Sequence, residues 1–174
     1  INENYNKYLS KEKKLRVIFR GINIDYYNQK NISILKQEKL KQEWKLDSDK
    51  FTILMPGRLT LWKGQEKFIE SLNILIEDYN FINFQAVILG SDQGRTVYKK
   101  KLLNLVARYN LNKKVKFINN CKEMPLAYSL ADAVVSASVE PEAFGRVAVE
   151  AQAMGKPIIA SNIGGSKETI LNKK

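Results

Sequence analysis

Histidine is absent from this sequence. That excludes Ser-His and Cys-His nucleophile systems and imidazole-ligated metals, so any chemistry must use carboxylates, lysine, arginine, tyrosine or backbone groups. Cysteine is nearly absent: Cys121 is the 1 thiol in 174 residues. A disulfide within the chain is therefore impossible, a cysteine-based zinc site is disfavoured, and the composition fits a reducing compartment. Long apolar runs are missing too, with nothing near the roughly 20 residues that span a bilayer. The leading "INENYNKYLSKEKK" is polar and matches neither a signal peptide nor a transit peptide. A first residue of Ile1, not Met, leads to the expectation of a piece cut from a longer protein. Acids are in short supply, with 18 Asp and Glu against 29 Lys and Arg, a formal charge of +11. Such a balance favours anionic partners. The lysines are scattered and the aromatics are not interleaved with them, which argues against nucleic acid.

What is present is a series of short Val- and Ile-rich runs. They lie at Leu15–Phe19, Phe51–Met55, Phe84–Gly90, Lys114–Ile118, Asp132–Ala137 and Pro157–Ser161. They show little alternation, the pattern of strands covered on both faces of a parallel sheet. Helical spacing fills the gaps: Phe68, Leu72, Leu75 and Ile76; Leu102, Leu103, Leu105 and Val106; Leu126, Tyr128 and Leu130; Val147, Ala148, Ala151 and Met154. The last of these is closed by Gly155 and then Pro157, a stop signal. The segment Ile32 to Trp44 reads as a further amphipathic helix. Strand and helix in alternation predict a Rossmann-like, three-layer α/β/α sandwich on a parallel sheet. With no repeat and no long Gly/Ser linker, residues 1–174 read as one domain. The chain stops just as another helix is due, so truncation is expected at the C-terminus as well.

In open α/β sheets ligands bind beyond the carboxyl ends of the strands. Four loops meet that rule: "PGRLTLWKG", "GSDQGR", "NNCKEMP" and "SVEPEAFG". The first places Arg58 and Lys63 beside Gly57 and Gly64, a set suited to an anion. It is not a Walker loop, and "GSDQGR" is not the dinucleotide fingerprint. The last loop leads into the helix that ends at Gly155, with a start near Phe144 or Gly145. The first N–H groups there, at Gly145, Arg146 and Val147, lack intrahelical partners and form an anion site with the helix dipole. Glu150 follows about five residues into the helix, roughly 7 to 8 Å along its axis. That matches the span from a diphosphate to the ribose of one nucleotide, and a carboxylate can read vicinal hydroxyls. Glu142 stays in the preceding loop. Solvated acids at an ordinary helix start would satisfy the same residues.

Together these segments resemble the nucleotide-sugar-binding half of a family 4 (group 1) glycosyltransferase of the GT-B fold. The likeness rests on E-x7-E (Glu142 to Glu150) within "PEAFGRVAVEAQAMGKPIIASNIGGSKETI", on "GRLTLWKG" and on "MPLAYSLADAVVSAS". "VIFRGINIDYY" is more loosely similar to the family's lead-in to this domain. The wording is especially similar to bacterial members that build lipopolysaccharide or capsule sugars. The resemblance implies a C-terminal donor domain, with the acceptor-binding half and the last strand and helices lying outside this chain. It implies retaining, metal-independent transfer from a nucleotide-diphosphate sugar, with no cofactor. Arg58 and Lys63 would hold the diphosphate, with Gly57 beside them. Glu142 would orient the sugar, Phe144, Gly145, Arg146 and Val147 would meet the β-phosphate and sugar, and Glu150 would bind the ribose. The base would lie against Gly90 and the Cys121 to Met124 loop. The implied partners are a nucleotide-sugar donor and a sugar or lipid-linked acceptor, with no nucleic acid. The implied location is cytoplasmic, with peripheral anionic membrane contact. A non-catalytic module that holds phosphorylated ligands or an anionic membrane stays open beside this, as does a family 1 or family 5 relative.

Overall fold

The computed structural model describes residue 18 and residues 20–170. Apart from Ile18, the expected first strand at Leu15–Phe19 lies outside the described residues. Among the described residues five strands form one sheet: β1 Phe51–Pro56, β2 Phe84–Leu89, β3 Val115–Ile118, β4 Ala133–Ser136 and β5 Ile158–Ala160. Their order is β3-β2-β1-β4-β5. Every neighbouring pair is parallel. Six α-helices among the described residues connect or flank them: α1 Ile34–Glu43, α2 Gln65–Glu77, α3 Thr96–Arg108, α4 Met124–Ser129, α5 Arg146–Ala153 and α6 Ser166–Thr169. Each strand after β1 is a residue or two shorter than its apolar run.

The sheet is covered on both faces, as the lack of alternation in its strands demands. On one side Phe68, Ile69 and Leu72 of α2, with Leu102 and Val106 of α3, pack on Ile53, Met55, Phe84, Ala86 and Ile88. On the other, Tyr128 of α4 and Ala151 of α5, with Met154 just beyond it, pack on Leu54, Val87, Leu89 and Val134. All six residues of β2 are buried. At the edge strand β5, Ile159 is exposed. This is the three-layer α/β/α sandwich predicted from the strand runs.

The flanking helices depart from their periodicity in one place. No residue of α1 is buried, and the segment docks mainly through Trp44 at its C-terminal cap. Its apolar face is therefore narrower than the Ile32–Trp44 pattern implies. The stop signal behind α5 works as read. Gly155 is left-handed at φ 66°, and Lys156 N–H closes back on the Ala151 carbonyl at 2.9 Å, a Schellman-type turn. At the amino ends of the strands Asp132 clamps β1 to β4 by accepting the Thr52 N–H at 2.7 Å. That bond sets the relative height of the two strands whose far ends carry the site.

Candidate functional site

The chain leaves β1 toward β2 on one side and leaves β4 toward β5 on the other. The crevice between the carboxyl ends of β1 and β4 is therefore the topological switch point, where ligands of such sheets bind. Loop 57–64 and loop 137–145 meet there. They are tied by the Val139 N–H, which donates to the Trp62 carbonyl at 2.8 Å. Gly64 makes that meeting possible. It is left-handed at φ 74°, and a Cβ on it would lie 1.8 Å from the Ala137 carbonyl oxygen.

Within the crevice Lys63 and Glu142 form an ion pair at 2.7 Å, with each side chain only 13% exposed. The acceptor oxygen, Glu142 Oε1, also receives the Ser138 hydroxyl. The Lys63 ammonium lies 4.5 Å from the centre of the Trp62 ring. Reading them as separate ligand contacts put Lys63 on the diphosphate and Glu142 on the sugar. The structure also pairs the two with each other, opposite charges meeting in a half-closed crevice. Arg58 is exposed, and its loop is fixed through its backbone. Buried Gln65 donates to the Arg58 carbonyl at 2.9 Å and accepts from the Tyr98 hydroxyl at 3.2 Å.

The second element at the crevice is the start of α5. Gly145, the N-cap, has φ 75° and lies against Ser166. Helix geometry leaves the N–H groups of Arg146 and Val147 without intrahelical partners, while the Ala148 N–H already donates to the Gly145 carbonyl at 3.0 Å. Glu142 is held before this turn by its backbone, whose carbonyl accepts the Gly165 N–H at 2.7 Å. A Cβ on Gly164 or Gly165 would run into the 141–144 backbone at under 3 Å. Phe144 is half-buried in that turn.

Glu150 is buried, at 5% exposure. Tyr128 donates to its Oε2 at 2.8 Å. Arg146 donates to its Oε1 through Nε at 3.1 Å and through a terminal nitrogen at 2.7 Å. The Tyr27 ring stands 6.1 Å from that of Tyr128, edge to face. Burial, then the charge of Glu150, pushes the Tyr27 phenol up to about 12. The same two causes raise the Tyr128 phenol further. The hydrogen bond to Glu150, then its charge, raises the Arg146 guanidinium. These shifts describe a carboxylate held by hydrogen-bond donors that stay protonated.

The remaining predicted contacts sit around this centre. At Gly90, which the resemblance sets beside the base, a Cβ would meet the Gly57 carbonyl oxygen at 2.1 Å. The two glycines bring the β1 and β2 loops together. Cys121 is half-buried, its Sγ donates to the Glu123 carbonyl at 3.4 Å, and burial pushes its thiol up. Met124 packs on the Tyr128 side of the sheet. A cavity of about 780 Å³ opens between Thr60, Trp62, Arg95, Val97 and Glu140. Among the described residues no cluster of three His, Cys, Asp or Glu side chains is placed to hold a metal.

The family model for glycosyl transferases group 1 matches residues 36–174. This chain belongs to that family. A glycosyltransferase crystal structure from Rickettsia africae is 34% identical, with a TM-score of 0.88 over 98% of this chain. The Anabaena protein Alr3699/HepE, solved with UDP and glucose, is 31% identical with a TM-score of 0.80 over 90% of this chain. An uncharacterized glycosyltransferase of Methanocaldococcus jannaschii, MJ1607, is 34% identical over 161 residues, 91% of this chain. The chain spans less than half of these relatives: 39% of the archaeal protein, 45% of the Rickettsia chain and 41% of the Anabaena chain. The group 1 glycosyltransferase fold here is thus the α/β half of a GT-B architecture.

Several residues that shape this group 1 site do not stand out in the sequence. Ser138 has a signal, since it lies two residues past β4 and four before Glu142. Gln65 has none: only the fold shows that this polar residue at the start of α2 is fully buried. Tyr27 and Tyr128 come from distant segments, and only the folded chain shows that they converge on Glu150.

Proposed function

We propose that this domain binds the donor of a family 4 glycosyltransferase, a nucleotide-diphosphate sugar, in the crevice between β1 and β4. The observation that carries the reading is the buried Lys63–Glu142 pair, set at the switch point beside the start of α5. Glycosyl transfer builds positive charge on the sugar and negative charge on the departing diphosphate. Arg58, Lys63 and the first-turn N–H groups of α5 supply preorganised positive charge at the leaving group. Glu142 faces the sugar, Glu150 takes the ribose hydroxyls, and the base lies by Gly90 and the Cys121–Met124 loop.

In this proposal transfer retains the anomeric configuration, and the fixed cations take the place of a divalent metal. The acceptor, a sugar or a lipid-linked sugar, is bound by a second domain, and the whole enzyme serves cell-envelope polysaccharide or lipopolysaccharide synthesis. The domain works in the cytoplasm, and a net charge of +11 supports contact with an anionic membrane. Among the described residues no helix is long and apolar enough to cross one.

The test is a donor screen with the full-length protein, monitored by NMR with and without a chelator. The expected result is a glycoside with the anomeric configuration of its donor, formed equally fast with chelator present. An inverted product, or activity lost to the chelator and restored by a divalent ion, would overturn the mechanism.

A further inference from the structure

Glu150 already has a nearly full set of hydrogen-bond partners. An ionised carboxylate offers about four lone-pair positions. Tyr128 takes one on Oε2, and Arg146 takes two on Oε1. A ribose diol needs two. Reading the sugar therefore requires at least one present partner to leave.

The partners differ in how easily they can go. Tyr128 has no exposed surface, so its hydroxyl would have no route to water if it let go. The Arg146 side chain is 63% exposed, so it can turn into solvent at little cost. Arg146 is also the first residue of α5. A guanidinium released from Glu150 there remains beside the helix start, where the diphosphate would be held.

We propose that Tyr128, supported by Tyr27, is the positioning residue that fixes Glu150 for the ribose, and that Arg146 is the exchangeable partner that the ribose diol displaces. The inference rests on the donor-site reading above. It assigns distinct roles to the two donors on Glu150: one stays and orients, the other leaves. It also makes Tyr27, which arrives from the segment leading into the domain, a neighbour of the ribose contact.

The test is equilibrium titration of wild type, Tyr128→Phe, Tyr27→Phe and Arg146→Met with UDP and with 2′,3′-dideoxy-UDP. The corresponding GDP or ADP pair replaces them if that base binds more tightly. Hydrogen bonds from ribose to a charged acceptor predict a wild-type preference for the diol of about tenfold or more. Tyr128→Phe should cut that preference at least about threefold while leaving dideoxy-UDP affinity unchanged, which a merely structural role would not do. Tyr27→Phe should cut it less, in the same direction. Arg146→Met should keep or widen it.

An undiminished preference in Tyr128→Phe overturns the positioning role. A preference that falls in Arg146→Met as it does in Tyr128→Phe overturns the exchange. If Tyr128→Phe does not fold, Tyr27→Phe decides the positioning role by the same criterion. Failure of the donor-site reading would look different: wild type would bind neither ligand, or both equally.

Discussion

Replacing Glu142 by Gln keeps the shape of the side chain and its ability to accept from Ser138, but removes the charge opposite Lys63. At 2.7 Å and an effective dielectric of about 20, the Coulomb attraction is about 6 kcal/mol. Much of that is offset by the desolvation of both groups. What the substitution exposes is the cost of a lysine left unpaired in the crevice. Breaking a buried pair costs about 3–5 kcal/mol. With 13% of each side chain exposed, the low end applies, about 3 kcal/mol. For a domain of this size that lowers Tm by about 6–12 °C, at about 2–4 °C per kcal/mol. The same change frees Lys63 from a competitor. Inorganic pyrophosphate should then bind Glu142→Gln at least about fivefold more tightly than wild type, about 1 kcal/mol. Glu140→Gln, an exposed acid two residues away, measures the long-range part of the charge effect and should change both quantities far less. Scanning calorimetry with and without pyrophosphate reads stability and binding together. An unchanged Tm would show that the pair contributes nothing. A pyrophosphate affinity that stays level or falls would show that Lys63 is not a diphosphate ligand.

Two further outcomes follow from the packing. Gly64→Ala must carry a Cβ into the Ala137 carbonyl while holding φ near 74°. The left-handed strain and the forced shift together should cost about 2–5 kcal/mol, read as a lower urea midpoint; a loss under about 0.5 kcal/mol would mean that the two loops do not meet as described. Tyr27 and Tyr98 titrate near 12 in the folded state, against 10.0 for an ordinary phenol. Above pH 10 the unfolded chain releases those protons first, so stability should fall as pH rises from about 10 to about 12 and be insensitive to these groups below that window. Tyrosinate absorbance that rises fully near pH 10 in the folded protein would contradict this.

The sheet was legible because buried parallel strands need unbroken Val- and Ile-rich runs, and β2 shows why: all six of its residues are covered. The boundaries were less so. Asp132 and Pro157 belong to their apolar runs in sequence, yet they lie outside β4 and β5, where Asp132 acts as a side-chain clamp on Thr52. The position of the site followed from the rule that ligands meet the carboxyl ends of strands, together with the strand order. What a one-dimensional pattern does not contain is which side chains face each other across the crevice. Lys63 and Glu142 are 79 residues apart, and nothing local to either announces the ion pair. Glu150 was read by its rise along α5, which placed it correctly on the helix. Its burial beneath Tyr128 and Arg146 depends on α4, which packs against the same face. Gly90 adds a contact that the sequence does not announce: a Cβ there would meet the Gly57 carbonyl oxygen at 2.1 Å, so the ends of β1 and β2 approach backbone to backbone.

The central claim, that the crevice between β1 and β4 holds a nucleoside diphosphate, is tested most directly by calorimetric titration of this chain at low salt. UDP, GDP and ADP would be compared on wild type and on the double variant Arg58→Ala plus Lys63→Ala. The account predicts saturable one-to-one binding of at least one of the three, weakened at least about thirtyfold in the double variant, about 2 kcal/mol. No saturable binding to any of them, or equal binding by the double variant, would contradict it.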